Sequence, residues 1–176
     1  MIGVEHRIHA TATTSAPPER VYEVIADVTT HLRWAGEDAP RKDFRLLTLD
    51  APHGISKIGT EFRSTGTSDK SGKETFHDRS TVTEARSPKA FAFETASRLD
   101  RKHRKAWEAR FVHRFELSPQ GEGTLIDYTC TVWPVNYVPY WLLPGVKRLT
   151  RHMVDGFAGR HLENLARLAE ASALVS

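Results

Sequence analysis

The feature that most constrains this chain is a change in hydrophobic period. From Phe44 to Pro134 apolar residues recur at every second position, and from Val146 onward they recur at helical spacing. Turn chemistry at Pro52-His53-Gly54, Ser71-Gly72, Ser87-Pro88 and Pro119-Gln120-Gly121-Glu122-Gly123 divides the first region into strands near 44–49, 60–67, 75–85, 90–97, 106–117 and 124–133. The clearest strand sets Trp107, Ala109, Phe111, His113, Phe115 and Leu117 on one face, against Glu108, Arg110, Arg114 and Glu116 on the other. Its neighbour sets Thr124, Ile126, Tyr128, Cys130 and Val132 inward. Short connections favour antiparallel pairing, and one polar face means that the sheet is covered on one side only.

Before this region, Val4–Thr14 alternates as a half-exposed strand does, with Ile8, Ala10 and Ala12 opposite Arg7, His9 and Thr11. Ser15-Ala16-Pro17-Pro18-Glu19 then suits a helix N-terminus, followed by Val21, Val24, Ile25 and Val28 at helical spacing. A second short helix is expected over Thr30–Trp34, and a charged loop over Gly36–Asp43. After the strands, Val146, Leu149, Met153, Phe157, Leu162, Leu165 and Leu168 trace one stripe of a helix over about 146–173. At 1.5 Å per residue such a helix runs roughly 40 Å, enough to cross a sheet. The expected class is α+β: seven curved antiparallel strands wrapped around a long C-terminal helix, with two short helices between strands 1 and 2.

With 176 residues the chain suits a single domain, 1–176, able to bury a core without staples. Lys and Arg number 25 against 22 Asp and Glu, and the resulting charge of +3 argues for no nucleic-acid partner. Cys130 is the lone cysteine and reads as a small buried residue, with no basic neighbour to make it a thiolate. No stretch approaches the roughly 20 apolar residues of a membrane span, and Met1–Thr14 lacks a basic segment followed by an apolar core. The expectation is a cytoplasmic protein with no transmembrane segment.

The order of elements and several local phrases resemble the START/SRPBCC helix-grip superfamily, especially its polyketide cyclase/dehydrase and lipid-transport branch. The phrases are Ala16-Pro17-Pro18-Glu19-Arg20-Val21-Tyr22 into Ala26-Asp27, His31-Leu32-Arg33-Trp34, and Ile58-Gly59-Thr60-Glu61-Phe62. Downstream come Pro88 before Phe91-Ala92-Phe93-Glu94, Gly123-Thr124 opening the last strand, and the long final helix. The resemblance covers nearly the whole chain, and its motifs specify fold more sharply than chemistry. It implies a cavity between the curved sheet and the long helix, walled by Trp34, Phe62, Phe76, Asp78, Phe91, Phe93, Trp107, Phe111, His113, Tyr128, Cys130, Met153 and Phe157. Such an aromatic lining suits a bulky apolar ligand, lipid-like or an aromatic polyketide, held by a few polar contacts. The same side chains would also serve as a solid core.

Asp78, His113 and Tyr128 fall on the dry face, where a buried polar group must find a partner. The side for Asp78 depends on where a bulge falls in its strand. His113 could act as acid or base, and Tyr128 could donate to a ligand carbonyl, as a cyclase, aromatase or dehydratase would require. A satisfied structural histidine and an edge tyrosine fit as well, so the residues leave enzyme and binder open. Other signatures fail. Gly66–Lys73 resembles a phosphate loop, but the step from Gly66 to Gly72 is too long and Glu74 stands where a hydroxyl is needed. His6 and His9 point to opposite faces of a strand, and His152 and His161 are too far apart on a helix, so no metal site is expected, nor any cofactor.

Two segments offer partner surfaces. Arg98-Leu99-Asp100-Arg101-Lys102-His103-Arg104-Lys105 reads as a solvated hairpin tip, with a nucleic-acid or partner-binding module as the alternative. Tyr137-Val138-Pro139-Tyr140-Trp141-Leu142-Leu143-Pro144 reads as an entrance segment over the cavity, with shallow membrane contact or a homodimer patch as alternatives.

Overall fold

The computed structural model describes residues 5–40, 44–67, 73–102, 104–137 and the backbone of 144–173, with side chains in that last stretch from Gly156 to Ser172. Seven strands form one antiparallel sheet: β1 (His6–Thr14), β2 (Arg45–Asp50), β3 (Glu61–Thr67), β4 (Glu74–Arg86), β5 (Ala90–Arg101), β6 (Trp107–Gln120) and β7 (Gly123–Pro134). Their spatial order is β1-β7-β6-β5-β4-β3-β2, so five consecutive hairpins build the sheet and β1 closes its far side against β7. Helix α1 (Pro18–Ala26) follows β1, and helix α2 (Pro144–Ala173) ends the chain. The class expected from the change of period is the class observed, a helix-grip fold.

Alternation decides which face is dry. On β6, Trp107, Ala109, Phe115 and Leu117 are buried, while Glu108, Arg110, Arg114 and Glu116 lie on the opposite face. The outer face is laced with ion pairs: Arg114 with Glu84 at 2.9 Å, Arg110 with Glu94, and His9 with Asp127 at 3.0 Å. Such exposed pairs contribute little stability each, and they keep the convex side wet. The inner face carries the energetics. Phe91, Phe115, Ile126 and Leu165 are essentially inaccessible, and each such side chain contributes roughly 1.5–3 kcal/mol by leaving water.

Helix α2 packs most heavily on β1, and also on α1 and the turns that follow it. Of the stripe anticipated from spacing, Leu162, Leu165 and Leu168 are buried, joined by Ala158, Ala166 and Ala169, while Phe157 is half-buried and Val146, Leu149 and Met153 lie outside the described side chains. Helix α1 starts at Pro18, whose missing N–H is harmless in a first turn, and buries Val21, Val24 and Ile25. The Asp27 carboxylate then accepts from the Thr29 amide and hydroxyl, turning the chain into a 3-10 turn at Val28–Thr30.

Here the structure departs from expectation. The second short helix expected over 30–34 is present, but it runs on where a loop was expected from Gly36: helical turns cover 28–37 and end in a π-helical turn over Arg33–Glu37. Tertiary contacts hold it: Asn164 of α2 donates its amide N–H groups to the carbonyls of Trp34 and Asp38, both at 3.0 Å. Gly36 packs so closely on β2 that a Cβ would lie 2.7 Å from the Leu46 carbonyl oxygen.

Strand β5 is also longer than alternation over 90–97 suggested. It runs through Arg98, Leu99, Asp100 and Arg101, which pair with His77, Phe76, Thr75 and Glu74 of β4. Half of the basic run is therefore strand. Arg98 pairs with Asp100 and Glu108, and Arg101 meets the Tyr137 hydroxyl and lies over its ring.

Candidate functional site in the grip

The site is built where rows of inward side chains cross the sheet. One row runs Val82, Phe93, His113 and Cys130, and the next runs Ala85, Phe91, Phe115 and Tyr128. Tyr128, two residues from Cys130 and so in the next inward row, lets its hydroxyl reach His113 Nδ1 at 2.8 Å. His113 is sandwiched further: the Phe93 ring stacks at 4.6 Å, and Phe111 lies at 5.9 Å.

Two apolar clusters meet at this pair. The larger contains Trp34, Phe62, Phe91, Phe93, Phe115, the buried residues of α1, and Leu162, Leu165, Ala166, Leu168 and Ala169 of α2. The smaller contains Ile8, Trp107, Ala109, Cys130, Val132 and Ala158, with Phe111 and Phe157 against it. Tyr128 packs against both. Phe111, His113 and Tyr128 face inward and are enclosed by protein, yet each keeps partial accessibility where Ala109, Phe115 and Cys130 are sealed.

Enclosure sets the charge states. Burial, with the nearby His31 adding repulsion, lowers the His113 imidazole to about 3. Burial also lowers His31 to about 4, partly offset by the Ile25 carbonyl and by Asp27. The Tyr128 phenol is raised well above its ordinary value, first by burial and then by Cys130. The Cys130 thiol is pushed up to about 12 by burial, with Tyr128 opposing. All four groups are therefore neutral at neutral pH. Cys130 is no nucleophile, in keeping with its reading as a small core residue.

His31 is the residue of this region that sequence reasoning passed over. Its Nε2 lies 2.8 Å from the Ile25 carbonyl oxygen, closing the end of α1. Its ring lies 4.8 Å from Trp34 and 5.8 Å from Phe93, so Phe93 has an imidazole on either side. The signal was its place inside the His31-Leu32-Arg33-Trp34 phrase, where it served only as a landmark. The Trp34 indole N–H is buried without a partner among the described residues.

The bulge that decides Asp78 falls between Val82 and Glu84, after the residue. Asp78 therefore shares the inner face with Phe76, Ser80 and Val82. Its neighbours in register are Ser64 on β3 and Ser97 on β5, two serines whose inward parity was legible and unused. Burial raises the Asp78 carboxyl to about 6, against hydrogen bonds from Ser97 and Ser64 that lower it.

Of the remaining predicted wall, Phe62, Phe91 and Phe93 join the larger cluster and Trp107 the smaller. Phe76 stands apart at the β2 side, stacked on Phe44 at 4.1 Å, with Phe157 6.4 Å beyond Phe44. The Met153 side chain lies outside the described residues, as do most of Gly66–Lys73 and Val138–Leu143. Two surface depressions lie at the rim. One of about 540 Å³ is bordered by Tyr22, Ile55, Lys57 and Ile58, and one of about 390 Å³ by Asp50, Arg63, Arg79 and Phe62. Among the described residues no group of three or more His, Cys, Asp or Glu side chains could hold a metal ion. No helix among them is long and apolar enough to cross a membrane.

The family profile described as polyketide cyclase / dehydrase and lipid transport matches residues 5–170. The chain belongs to this family. Solved structures agree on the fold. The ginseng major latex-like protein 151 from Panax ginseng, 11% identical, aligns over 95% of this chain and 99% of its own with a TM-score of 0.61. The Mll3558 protein from Rhizobium loti, 20% identical, aligns over 93% and 96% with a TM-score of 0.59. The TTHA0849 protein from Thermus thermophilus, 16% identical, aligns over 95% and 99% with a TM-score of 0.56. None of the curated proteins matches the chain. Membership in the polyketide cyclase / dehydrase and lipid-transport family supports hydrophobic ligand binding in general terms.

Proposed function

We propose that this family member, as one domain over 1–176, encloses a lipid-like or aromatic-polyketide molecule between the sheet and α2. The wall would be Trp34, Phe62, Phe76, Asp78, Phe91, Phe93, Trp107, Phe111, Cys130, Met153 and Phe157, with His113 and Tyr128 as its polar contacts. The observation that carries this reading is the accessibility of Phe111, His113 and Tyr128, inward residues left partly uncovered where two sealed clusters meet. A well-packed interior covers such rings, so incomplete cover marks room for a guest. Native mass spectrometry before and after organic extraction tests it. The expected result is a retained small molecule, or uptake of 2-naphthol or 2-methylnaphthalene by the extracted protein; failure of all of these would overturn the reading.

A second reading, cyclase or dehydratase chemistry, draws on the 2.8 Å contact between His113 and Tyr128. General acid–base work at neutral pH favours a group titrating near 7, and an imidazole lowered to about 3 is a weak base. In this reading Tyr128 polarises a ligand carbonyl and His113 orients it. Unchanged turnover of a poly-β-ketone by His113→Gln would remove it.

A further inference from the structure

The inner face of the sheet treats its polar residues in two ways. Ser80 and Thr95, neighbours in register on β4 and β5, satisfy each other at 2.8 Å and are buried. The adjacent row does not close on itself. It runs Leu49, Ser64, Asp78, Ser97 and Ala109 across five strands, with a carboxyl at its centre and no Lys or Arg in it. The Ser64 and Ser97 hydroxyls serve Asp78, yet its Oδ1 is buried away from water with no hydrogen-bond partner among the described residues.

The inventory of this trio is one-sided. An ionised carboxylate only accepts, and a serine whose proton is directed at that carboxylate offers its surroundings only lone pairs. A buried acceptor without a donor is costly, and native proteins rarely leave one. We propose that Asp78, set between Ser64 and Ser97, selects guests that bring a hydrogen-bond donor, a hydroxyl or an amine N–H, into the otherwise apolar interior. The inference rests on the reading that the interior takes a guest, and it adds which guest. Hydroxylated or amine-bearing ring systems bind more tightly than shape-matched hydrocarbons, which would leave Asp78 Oδ1 unpaired.

Calorimetric titration with 2-naphthol and 2-methylnaphthalene at pH 7.5 separates the possibilities, since the probes match in shape and differ in the donor. Wild type is expected to bind 2-naphthol roughly tenfold or more tightly than 2-methylnaphthalene, the gain typical of a hydrogen bond to a charged acceptor. Asp78→Ala is expected to lose or reverse that preference, and Asp78→Asn, which keeps a carbonyl acceptor, to retain part of it. Equal affinities in wild type, or a preference untouched by Asp78→Ala, overturn the inference and leave ligand binding standing. If neither probe binds, the proposed function fails and the inference fails with it.

Discussion

The Nδ1 atom of His113 lies 2.8 Å from the Tyr128 hydroxyl, and this contact joins β6 to β7 at the boundary of two apolar clusters. Each partner faces inward and is only partly accessible, so neither exchanges this contact freely for water. Tyr128→Phe keeps the ring contacts and deletes the hydroxyl, leaving the imidazole short of a partner. It is expected to cost about 1–3 kcal/mol in urea unfolding. A double-mutant cycle with His113→Phe should return a coupling of about 1 kcal/mol, as direct partners give.

Acid should unfold the protein through its histidines. His113 and His31 titrate at about 3 and about 4 when folded, against 6.5 in the unfolded chain. The unfolded state therefore binds more protons below 6.5, and stability rises with pH through this window. The contribution is complete above 6.5 and is lost as pH falls toward 4 and then 3. For His113 alone it is on the order of 5 kcal/mol. His113→Phe should flatten the acid limb of a stability curve measured from pH 7 to 4. An unchanged limb would show that His113 protonates freely in the folded protein.

Asp78 runs the other way. Its folded value of about 6 lies above the unfolded 3.8, so the folded state holds the extra proton between them. Stability from this group is present below 3.8 and is lost as pH rises through 6, leaving an ionised buried acid above that. Asp78→Asn should raise stability at pH 8 by up to about 3 kcal/mol and change little at pH 4. Chemical denaturation at the two pH values gives the difference directly. A single carboxyl and a single imidazole thus pull the curve in opposite senses.

Alternation made much of this legible, and its failures have physical causes. The inward set on β6 and β7 follows from period two, because no bulge interrupts either strand where they pair. Asp78 was ambiguous because a bulge shifts every later side chain to the other face, and the shift between Val82 and Glu84 carries no glycine or proline to announce it. The basic run hid four strand residues because charges at Arg98, Asp100 and Arg101 mask the apolar position Leu99, which continues the inner face beside Trp107. The helical stretch past Trp34 was beyond local reading, since the amide that holds its carbonyls sits more than a hundred residues away on α2.

Gly66 fixes how closely β3 approaches the aromatic end of the site. A Cβ there would lie 2.0 Å from Phe76 Cζ and 2.3 Å from the Arg45 carbonyl oxygen. The ring could swing, but backbone on β2 could not, and Phe76 is stacked on Phe44. Gly66→Ala is expected to destabilise by about 1–3 kcal/mol through overpacking, read by thermal unfolding. Gly54, whose Cβ would meet nothing within 4 Å, is a poor control because its φ of +88° already disfavours a side chain; Gly159 on α2, also open and helical, is the better one. Gly159→Ala should be neutral or slightly stabilising in the same experiment.

Asn164 connects the helix to the wall of the site. Its amide donates to Trp34 and Asp38 carbonyls across the gap between α2 and the π turn, and its oxygen accepts from Arg167. Asn164→Leu would keep the volume and leave two carbonyls without donors in a buried place. The expected cost is about 1–3 kcal/mol, and more local exchange of the 33–38 amides than of the β6–β7 ladder. If Trp34 helps wall the ligand chamber, the variant should also weaken 2-naphthol binding while leaving its preference over 2-methylnaphthalene intact, because Asp78 is untouched. Hydrogen exchange and calorimetry on the one variant therefore separate the shape of the chamber from its selectivity. A variant that exchanged uniformly and bound as wild type would show that the π turn holds itself.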